Sequence, residues 1–274
     1  MTVKELIEFG HRELIAFDSA RLDAELLLSH VLGRPVTYIL AHDEAKVGRF
    51  RAWRFKRLVA RRKEGMPVAY LRGHREFYGL DFKVTRQVLV PRPDTEALAE
   101  AVINYVLPGD LLLDVGTGSG CIPIAVLKHK KDLEAVATDV SRAALQVARS
   151  NAVRHRVDAR LRFVCSDLLL DVDPVLLEDR ELVVTANLPY VPEGFEVNVE
   201  TRFEPQVALW GGGDGMDLYR KLLEQLLPLE PRAMFFECFD FQKAILAEHA
   251  PGYKLRHIKN ASGGAGVVIL ERTK

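Results

Sequence analysis

The segment from Leu111 to Gly120 constrains the fold of this chain more than any other. The run Leu111-Leu112-Leu113-Asp114-Val115 is almost wholly apolar, and this predicts a buried strand. It leads directly into Gly116-Thr117-Gly118-Ser119-Gly120, where glycines permit positive φ and a close approach of the backbone to a ligand. A dinucleotide-binding loop follows the pattern G-x-G-x-x-G/A, but Cys121 occupies its last position here. The segment therefore predicts a ligand site at the end of a strand and argues against pyrophosphate binding.

Downstream of Pro93, helical and strand patterns alternate. We predict helices over residues 95–106, from Cys121 and from Ser141, and strands at 111–114, 133–138, 161–164, 182–186, 233–237, 253–258 and 267–271. This alternation predicts βαβ units and a mostly parallel sheet. The last two strands are joined by a turn at Ser262-Gly263-Gly264, which is too short for a parallel connection, so they must be antiparallel. A Rossmann-like α/β sheet with a C-terminal antiparallel hairpin resembles the class I methyltransferase fold more than a dinucleotide-binding fold.

The chain before this region has a different pattern. Residues 1–70 show helical periodicity without a strand signal, and they predict a small helical domain. Residues 77–84 and 87–90 are expected to form two short strands joined by a turn. We therefore predict a helical domain over residues 1–70, a β-hairpin linker over 71–90 and a large α/β domain over 91–274.

Two acidic residues follow the next predicted strands and face the same crevice. Asp139 ends one strand, where a carboxylate can accept hydrogen bonds from both hydroxyls of an adenosine ribose. Asp167 and Leu168 end the following strand, where methyltransferases commonly hold the adenine amino group. These positions predict an S-adenosylmethionine site formed by Gly116, Thr117, Gly118, Ser119, Gly120, Asp139, Asp167 and Leu168. The alternative interpretation is a plain strand-to-helix turn with surface acids.

The tetrapeptide Asn187-Leu188-Pro189-Tyr190, termed the clamp below, follows the apolar strand predicted at 182–186 and reaches the same edge of the sheet. A planar amide or amino nitrogen is a poor nucleophile because its lone pair is delocalised. The Asn187 side-chain oxygen and the Leu188 carbonyl can each accept one N–H of such a group and turn its lone pair toward a methyl donor. Pro189 fixes the turn, and Tyr190 can stack on the flat group. We predict that the clamp is catalytic and that Asn187 also borders the cofactor; an ordinary Asn-Pro turn is the alternative.

Composition excludes several kinds of partner. Lys and Arg total 38 and Asp and Glu total 38, so no global charge favours nonspecific binding to nucleic acid or an anionic membrane. The cysteines Cys121, Cys165 and Cys238 are far apart and lack the spacing of metal ligands, so no metal site is expected. The N-terminus lacks the apolar core of a signal peptide, and no apolar run is long enough to cross a bilayer. We expect a cytoplasmic protein.

Several segments narrow the choice of family. The clamp resembles the Asn-Pro-Pro-Tyr box of amino and amide methyltransferases. With it, Arg75-Glu76-Phe77-Tyr78-Gly79, Val90-Pro91-Arg92-Pro93-Asp94-Thr95-Glu96 and Arg202-Phe203-Glu204-Pro205 are similar to the release-factor glutamine methyltransferases, the HemK-like family, over nearly the whole chain. The resemblance implies methylation of the N5 amide nitrogen of the glutamine in the Gly-Gly-Gln loop of class I peptide chain release factors. It also implies that Arg92 lies near the cofactor and that the N-terminal helical domain grips the release factor.

Two positions depart from the family pattern. Leu188 replaces the usual first proline, giving a tetrapeptide that occurs in ribosomal RNA adenine dimethyltransferases. Residues Asn260 to Gly266 keep a glycine of the C-terminal family pattern but lack its charges. N6-methylation of adenine in RNA or DNA is therefore the alternative activity, and a nucleotide-binding module without catalysis is a second alternative. The sequence leaves open the preferred release factor and the oligomeric state.

A basic segment, residues 49–63, is together with Leu188 the feature that favours the adenine alternative. It carries eight Lys and Arg residues interleaved with Phe50, Trp53 and Phe55, a composition that suits RNA or an acidic protein surface. Our interpretation is a solvated helix face with its aromatic residues packed inward.

Overall fold

The structure is a computed structural model, and it describes residues 1–259 and 264–273. The chain divides into two units. The first contains Met1–His74 together with Asn198–Phe203, and the second contains Arg75–Val197 together with Glu204–Lys274.

The first unit is built from helices. They are α1 (Val3–Glu13), α2 (Ala20–Leu32), α3 (Val36–Ala41), α4 (Arg49–Lys63) and α5 (Val68–Arg72). Thr2 and Glu5 form a capping box that satisfies the free N–H groups at the start of α1. Leu6, Leu27 and Phe55 are fully buried and join α1, α2 and α4 in one apolar cluster. The helical character predicted for this region is confirmed.

The basic segment forms α4, but its side chains do not divide as the sequence suggests. Phe55 packs inward on the face it shares with Ala52 and Val59, as the helical period requires. Phe50 and Trp53 are instead 69% and 50% exposed and stack on each other at 5.8 Å between ring centroids. The expectation of inward-packed aromatic residues is therefore wrong for these two, because they lie on the opposite face of the helix.

Arg62, one of the eight basic residues, does not belong to the solvated face. It is 2% exposed. Its Nε donates to Asp23 Oδ2 at 2.6 Å, another nitrogen pairs with Glu200 at 2.6 Å, and the guanidinium lies 4.0 Å from the centre of the Phe17 ring. Two carboxylates and an aromatic face thus compensate a charge that the sequence pattern assigns to solvent.

The hairpin is shorter and earlier than predicted. Strands β1 (His74–Phe77) and β2 (Leu80–Lys83) form a two-stranded sheet, and residues 87–90 form no strand. Tyr78 and Gly79 have φ values of 50° and 70°, the positive pair that a tight two-residue hairpin turn needs. The turn therefore falls inside the segment predicted as one strand, and residues 87–90 run along the wall of the cavity described below.

The second unit contains a seven-stranded sheet. Its strands are β3 (Leu111–Val115), β4 (Glu134–Asp139), β5 (Leu161–Cys165), β6 (Leu182–Ala186), β7 (Ala233–Cys238), β8 (Tyr253–Ile258) and β9 (Gly266–Arg272). They lie in the order β5-β4-β3-β6-β7-β9-β8. The first five are parallel, and β9 pairs antiparallel with both β7 and β8. The predicted parallel sheet with an antiparallel C-terminal hairpin is confirmed.

Alternation along the central strands divides the core into two layers. Leu112, Val183 and Phe235 point into one apolar cluster. Their neighbours, Leu113 and Val184 among them, point into the other. Every residue of β3, β6 and β7 is buried, so these strands are mainly apolar rather than alternating, and the polar residue of each, Asp114, Thr185 or Glu237, stands one position before the strand end. Polar residues are therefore displaced to the carboxyl ends of the strands.

Helices complete the unit. They are α6 (Asp94–Tyr105), α7 (Cys121–His129), α8 (Arg142–Arg154), α9 (Asp217–Leu226) and α10 (Lys243–Glu248). Of the C-terminal loop Asn260 to Gly266, residues 260–263 lie outside the described residues, as does most of the predicted Ser262-Gly264 turn. In the described part of the chain, no helix is both long and apolar enough to cross a membrane.

Candidate active site

A cavity of about 400 Å³ opens at the carboxyl ends of the parallel strands. This edge is where open α/β sheets bind ligands. Nine of the ten residues predicted to bind the cofactor line it: Arg92, Gly116, Thr117, Gly118, Ser119, Asp139, Asp167, Leu168 and Asn187. The tenth, Gly120, does not line the cavity and is the N-cap residue of α7. Leu188 and Pro189 of the clamp also line the cavity, so the glycine loop and the clamp border one space.

The glycine loop contacts the clamp at Gly116. This residue has φ 73°, a conformation that favours glycine. A Cβ atom placed there would lie 2.8 Å from Cδ2 of Leu188, which is closer than the non-bonded contacts of real Cβ atoms. Leu188 itself is only 4% exposed. The first glycine of the loop and the second residue of the clamp are therefore fitted to each other.

Asp139 is held by the backbone on both sides. Its Oδ2 accepts a hydrogen bond from the Gly118 N–H at 2.9 Å, and its Oδ1 accepts one from the Ser141 N–H at 2.8 Å. Burial raises the pKa of the Asp139 carboxyl, and these two hydrogen bonds oppose the rise. Each carboxylate oxygen can accept more than one hydrogen bond, so the group retains acceptors for ribose hydroxyls.

Asp167 and Leu168 occupy an adjacent part of the cavity wall. Leu168 has φ 53°, which is uncommon for a residue with a side chain and costs conformational energy. The following N–H, of Leu169, donates to the side-chain oxygen of Gln225 on α9 at 2.9 Å. The packed helix thus supports a strained turn that places an exposed carboxyl and a buried leucine in the cavity wall.

The hydrogen bonds that hold Asn187 and Leu188 in the described structure use their donors and not their acceptors. Asn187 Nδ2 donates to Thr95 Oγ1 at 3.1 Å, and the Leu188 N–H donates to the Tyr219 hydroxyl at 3.2 Å. The Tyr219 hydroxyl in turn donates to the Glu237 carbonyl at 2.6 Å. Within the described residues, neither Asn187 Oδ1 nor the Leu188 carbonyl accepts a hydrogen bond. These are the two acceptors that the sequence predicts.

Tyr190 is placed differently from the other three clamp residues. It is absent from the cavity lining. Its hydroxyl donates to Glu237 Oε1 at 2.9 Å, and its ring meets Phe239 edge to face at 5.1 Å between centroids. Burial raises the pKa of Tyr190 well above its usual value, with the Glu237 charge adding to the rise, so the hydroxyl stays a donor. That its ring stacks on the methyl acceptor remains a prediction.

Arg92 borders the cavity in an ion pair. One guanidinium nitrogen lies 2.5 Å from Glu204 Oε2, and the other Glu204 oxygen accepts the Val90 N–H at 3.3 Å. The Glu204 side chain is fully buried. Two of the family segments, residues 90–96 and 202–205, are therefore joined at Glu204 beside the cavity.

A loop that was not predicted from the sequence, residues 210–215, supports the clamp from behind. A Cβ atom at Gly211 would collide with the Pro189 carbonyl oxygen, and one at Gly215 would collide with that of Tyr190. Gln242 is fully buried and donates through Nε2 to the Tyr190 carbonyl at 2.7 Å. The dense glycines in Trp210-Gly211-Gly212-Gly213-Asp214-Gly215 are a turn signal that could have found this loop.

The residues of the cavity suit S-adenosylmethionine. The space has mainly apolar walls with a half-buried carboxyl, Asp139, on one side. A Cβ atom at Gly118 would meet no atom within 4 Å, so the loop backbone is bare at this point. Thr117 Oγ1 and Thr138 Oγ1 are buried without a hydrogen bond in the described residues, and both residues line the cavity. An adenosine with a polar amino-acid tail fits such a donor and acceptor set.

Solved structures with the same fold include methyltransferases. The N-terminal domain of human METTL16, in complex with SAH, aligns over 72% of this chain and 77% of its own with a TM-score of 0.50 and 13% identity. The hMettl16 catalytic domain in complex with MAT2A 3′UTR hairpin 6 aligns over 76% and 81%, with a TM-score of 0.58 and 14% identity. Identities this low show the fold alone. The fold and the site define a class I S-adenosylmethionine-dependent methyltransferase.

Sequence comparisons give the family. The profile described as the PrmC N-terminal domain matches residues 5–73, and that of the methyltransferase small domain matches residues 94–189. A release factor glutamine methyltransferase from Koribacter versatilis is 39% identical over 82% of this chain and 81% of its own. One from Moorella thermoacetica is 38% identical over 81% and 80%. The chain belongs to the release factor glutamine methyltransferase family, its cofactor is S-adenosylmethionine, and the alternative of a module without catalysis is wrong.

Proposed function

We propose that this protein transfers the methyl group of S-adenosylmethionine to the side-chain amide nitrogen (N5) of the glutamine in the Gly-Gly-Gln motif of class I peptide chain release factors. Relatives that are 39% and 38% identical carry the name release factor glutamine methyltransferase. The observation that carries the proposal is the hydrogen bonding of the clamp. It leaves two acceptors, Asn187 Oδ1 and the Leu188 carbonyl, beside the cavity.

Two acceptors match the two N–H bonds of a primary amide. When Asn187 Oδ1 and the Leu188 carbonyl each accept one of these N–H groups, the amide plane is fixed and its nitrogen is presented to the methyl group. S-adenosylmethionine supplies an electrophilic methyl carbon on a sulfonium sulfur. The amide nitrogen forms the new C–N bond as the C–S bond breaks, and the nitrogen then releases one proton to solvent. The residues orient the nucleophile, and no strong base is required before transfer.

The proposal extends to the partner and to the division of labour in the chain. We expect the helical residues 1–70 to recognise the release factor and residues 91–274 to perform catalysis, with residues 71–90 as the linker. Because the proposed substrate acts at ribosomes, we expect this protein to be cytoplasmic. The exposed Phe50 and Trp53, beside the basic side chains of α4, offer a surface of aromatic rings and positive charge for such recognition.

The direct test is methyl transfer from labelled S-adenosylmethionine to a purified class I release factor. We expect one label per release factor, located on the glutamine of the Gly-Gly-Gln motif. A release factor with that glutamine replaced by alanine should remain unlabelled. Label in ribosomal RNA, with none in the release factor, would reject the proposed substrate.

Within the enzyme, Asn187→Ala tests the role of the clamp. Loss of Oδ1 removes one of the two acceptors, so kcat should fall about 100-fold or more because a misoriented nucleophile loses most of its reactivity. The Kd for S-adenosylmethionine should change less than about threefold, because orientation of the nucleophile contributes little to cofactor binding. Asn104→Ala, at an exposed position of α6, is the matched control and should keep full activity. Full methyl transfer by Asn187→Ala would reject this role for Asn187.

N6-methylation of adenine is the second candidate, and Leu188 favours it together with the basic segment at residues 49–63. Leu188 gives the clamp the sequence Asn-Leu-Pro-Tyr rather than Asn-Pro-Pro-Tyr. An exocyclic adenine NH2 is also planar and presents two N–H groups to the same two acceptors. The RNA arm of the labelling assay separates the two substrates.

A further inference from the structure

Glu237 is a buried acid at a position where an apolar residue would be expected. Strand β7 is Ala233-Met234-Phe235-Phe236-Glu237-Cys238, and every one of these residues is buried. Glu237 is 1% exposed. Burial of a carboxyl group without compensation costs several kcal/mol. A charged group in the central sheet therefore requires a local reason, and its neighbours supply one.

The sheet register places Glu237 beside the clamp. Ala186 on β6 pairs with Phe236 on β7 in the parallel ladder. The next residues along the two strands are Asn187 and Glu237, so they emerge side by side at the carboxyl edge. Parallel pairing thus brings the acid to the first residue of the clamp, although 50 positions separate the two in the sequence.

The contacts of Glu237 all lead to residues that hold the methyl acceptor. Its Oε1 accepts the Tyr190 hydroxyl at 2.9 Å. Burial raises the pKa of Glu237, while the side chains of Thr95, Tyr190 and Asn187 act against the rise, so all three lie at the carboxyl group. Oε2 is buried, and its geometry satisfies no hydrogen bond in the described residues, so only the Tyr190 contact counts as one. Thr95 is also the acceptor for Asn187 Nδ2.

We propose that Glu237 is a positioning residue for methyl transfer, which fixes the Tyr190 ring directly and, with Thr95, the orientation of the Asn187 amide. This inference rests on the proposed function for its substrate. Glu237 would not touch the substrate, since Asn187 and Leu188 line the cavity and Glu237 does not. With the Asn187 NH2 group turned toward Thr95 and Glu237, its Oδ1 is left toward the methyl acceptor. Without the acid, the amide can flip and present a donor where an acceptor is needed.

Three variants test the idea. Glu237→Gln keeps the side-chain volume and an oxygen acceptor for Tyr190, Glu237→Ala removes both, and Tyr190→Phe removes the partner while the acid stays. Glu248→Gln, at an exposed site of α10, is the control for loss of a negative charge. We expect kcat to fall about 10- to 100-fold in Glu237→Ala and to be largely restored in Glu237→Gln, because small displacements of a reacting group have effects of this size. The Kd for S-adenosylmethionine should stay within about twofold in every variant.

A second measurement needs no protein substrate. In the enzyme labelled with ¹⁵N at asparagine, the Asn187 side-chain NH2 should exchange slowly with solvent and should lose this protection in Glu237→Ala but not in Glu237→Gln. Absence of release-factor methylation by the unmodified enzyme would reject the proposed function, and the exchange of Asn187 would still decide the role of Glu237. Unchanged exchange in Glu237→Ala overturns the inference. Equal loss of kcat in Glu237→Gln and Glu237→Ala also overturns the inference. The negative charge of Glu237, rather than its positioning of Tyr190 and Asn187, would then account for the loss of activity.

Discussion

Replacing Asp114 with asparagine should remove a pH dependence from the stability of the cofactor-free enzyme. Asp114 lies in β3, directly before the glycine loop, and is 1% exposed. Its Oδ1 accepts the Thr185 hydroxyl at 2.7 Å, while Oδ2 has no hydrogen bond in the described residues. Burial raises the pKa of this carboxyl from 3.8 to about 7, against the opposing effects of Thr117 and Thr185.

The sign and size of the effect follow from this shift. Between pH 4 and pH 7 the unfolded chain has Asp114 ionised, whereas the folded protein keeps it protonated and so binds more protons. The free energy of unfolding therefore falls as the pH rises through this window, and the fall is complete above pH 7. A pKa difference of about three, at about 1.4 kcal/mol for each, gives a total of about 4 kcal/mol, of which about 2.5 kcal/mol falls between pH 5 and pH 8.

The assay is urea unfolding of the cofactor-free protein at pH 5, 6, 7 and 8. Comparison of the wild type with Asp114→Asn cancels the titration of all other groups. The variant stays neutral, so its stability relative to the wild type should rise by about 2.5 kcal/mol across this range. Asp132→Asn, at an exposed position, should show a constant difference from the wild type. A constant difference for Asp114→Asn as well would refute the claim that burial holds this acid protonated.

Three further outcomes are expected. Tyr219→Phe leaves the buried Leu188 N–H without its acceptor, so denaturant titrations should show a free energy of unfolding lower by about 1–3 kcal/mol. We expect kcat to fall as well. Unchanged values of both would contradict a role of Tyr219 in holding the clamp. Asp139→Ala should raise the Kd for S-adenosylmethionine about 10- to 100-fold in calorimetric titrations, because charge-assisted hydrogen bonds to the ribose are lost. A change in Kd below twofold would exclude this contact. Arg62→Met leaves Asp23 buried without its partner, so the free energy of unfolding should fall by about 3–5 kcal/mol in thermal unfolding followed by circular dichroism. An unchanged free energy of unfolding would indicate that the ion pair contributes little.

The failure at the hairpin shows where local patterns mislead. Residues 88–90 are apolar, and the sequence predicts a strand over 87–90, yet these four residues line the cavity instead. The true turn at Tyr78-Gly79 carries a glycine signal, but Tyr78 must also adopt φ 50°, which its side chain disfavours. Hydrophobicity alone does not distinguish a strand that pairs with another from a turn segment that lines a cavity.

Several parts of the site depend on residues that are distant in the sequence. Tyr219 and Glu237 meet the clamp only because β6 and β7 are paired in a particular register and α9 packs on the sheet. Gly211 and Gly215 are required by carbonyl oxygens of residues more than 20 positions away. Contacts of this kind produce no periodic pattern in the sequence, because nothing in the neighbouring residues distinguishes these tyrosine, glutamate and glycine positions from others.

The sequence by itself determined the sheet, the glycine loop and the amino-acid identities of the clamp, because strand burial and turn formation depend on hydrophobic period and backbone freedom over a few adjacent residues. The seven strands and eight of the nine predicted cofactor residues that line the cavity follow from those local rules, whereas Arg92 was implied by the family resemblance. Only the tertiary structure decided which hydrogen-bonding atoms of the clamp remain free. Thr95 and Tyr219 occupy the donors of Asn187 and Leu188, and Glu237 occupies that of Tyr190. The physical reason is that hydrogen-bond partners are assigned by packing, which brings together atoms that the linear order keeps apart.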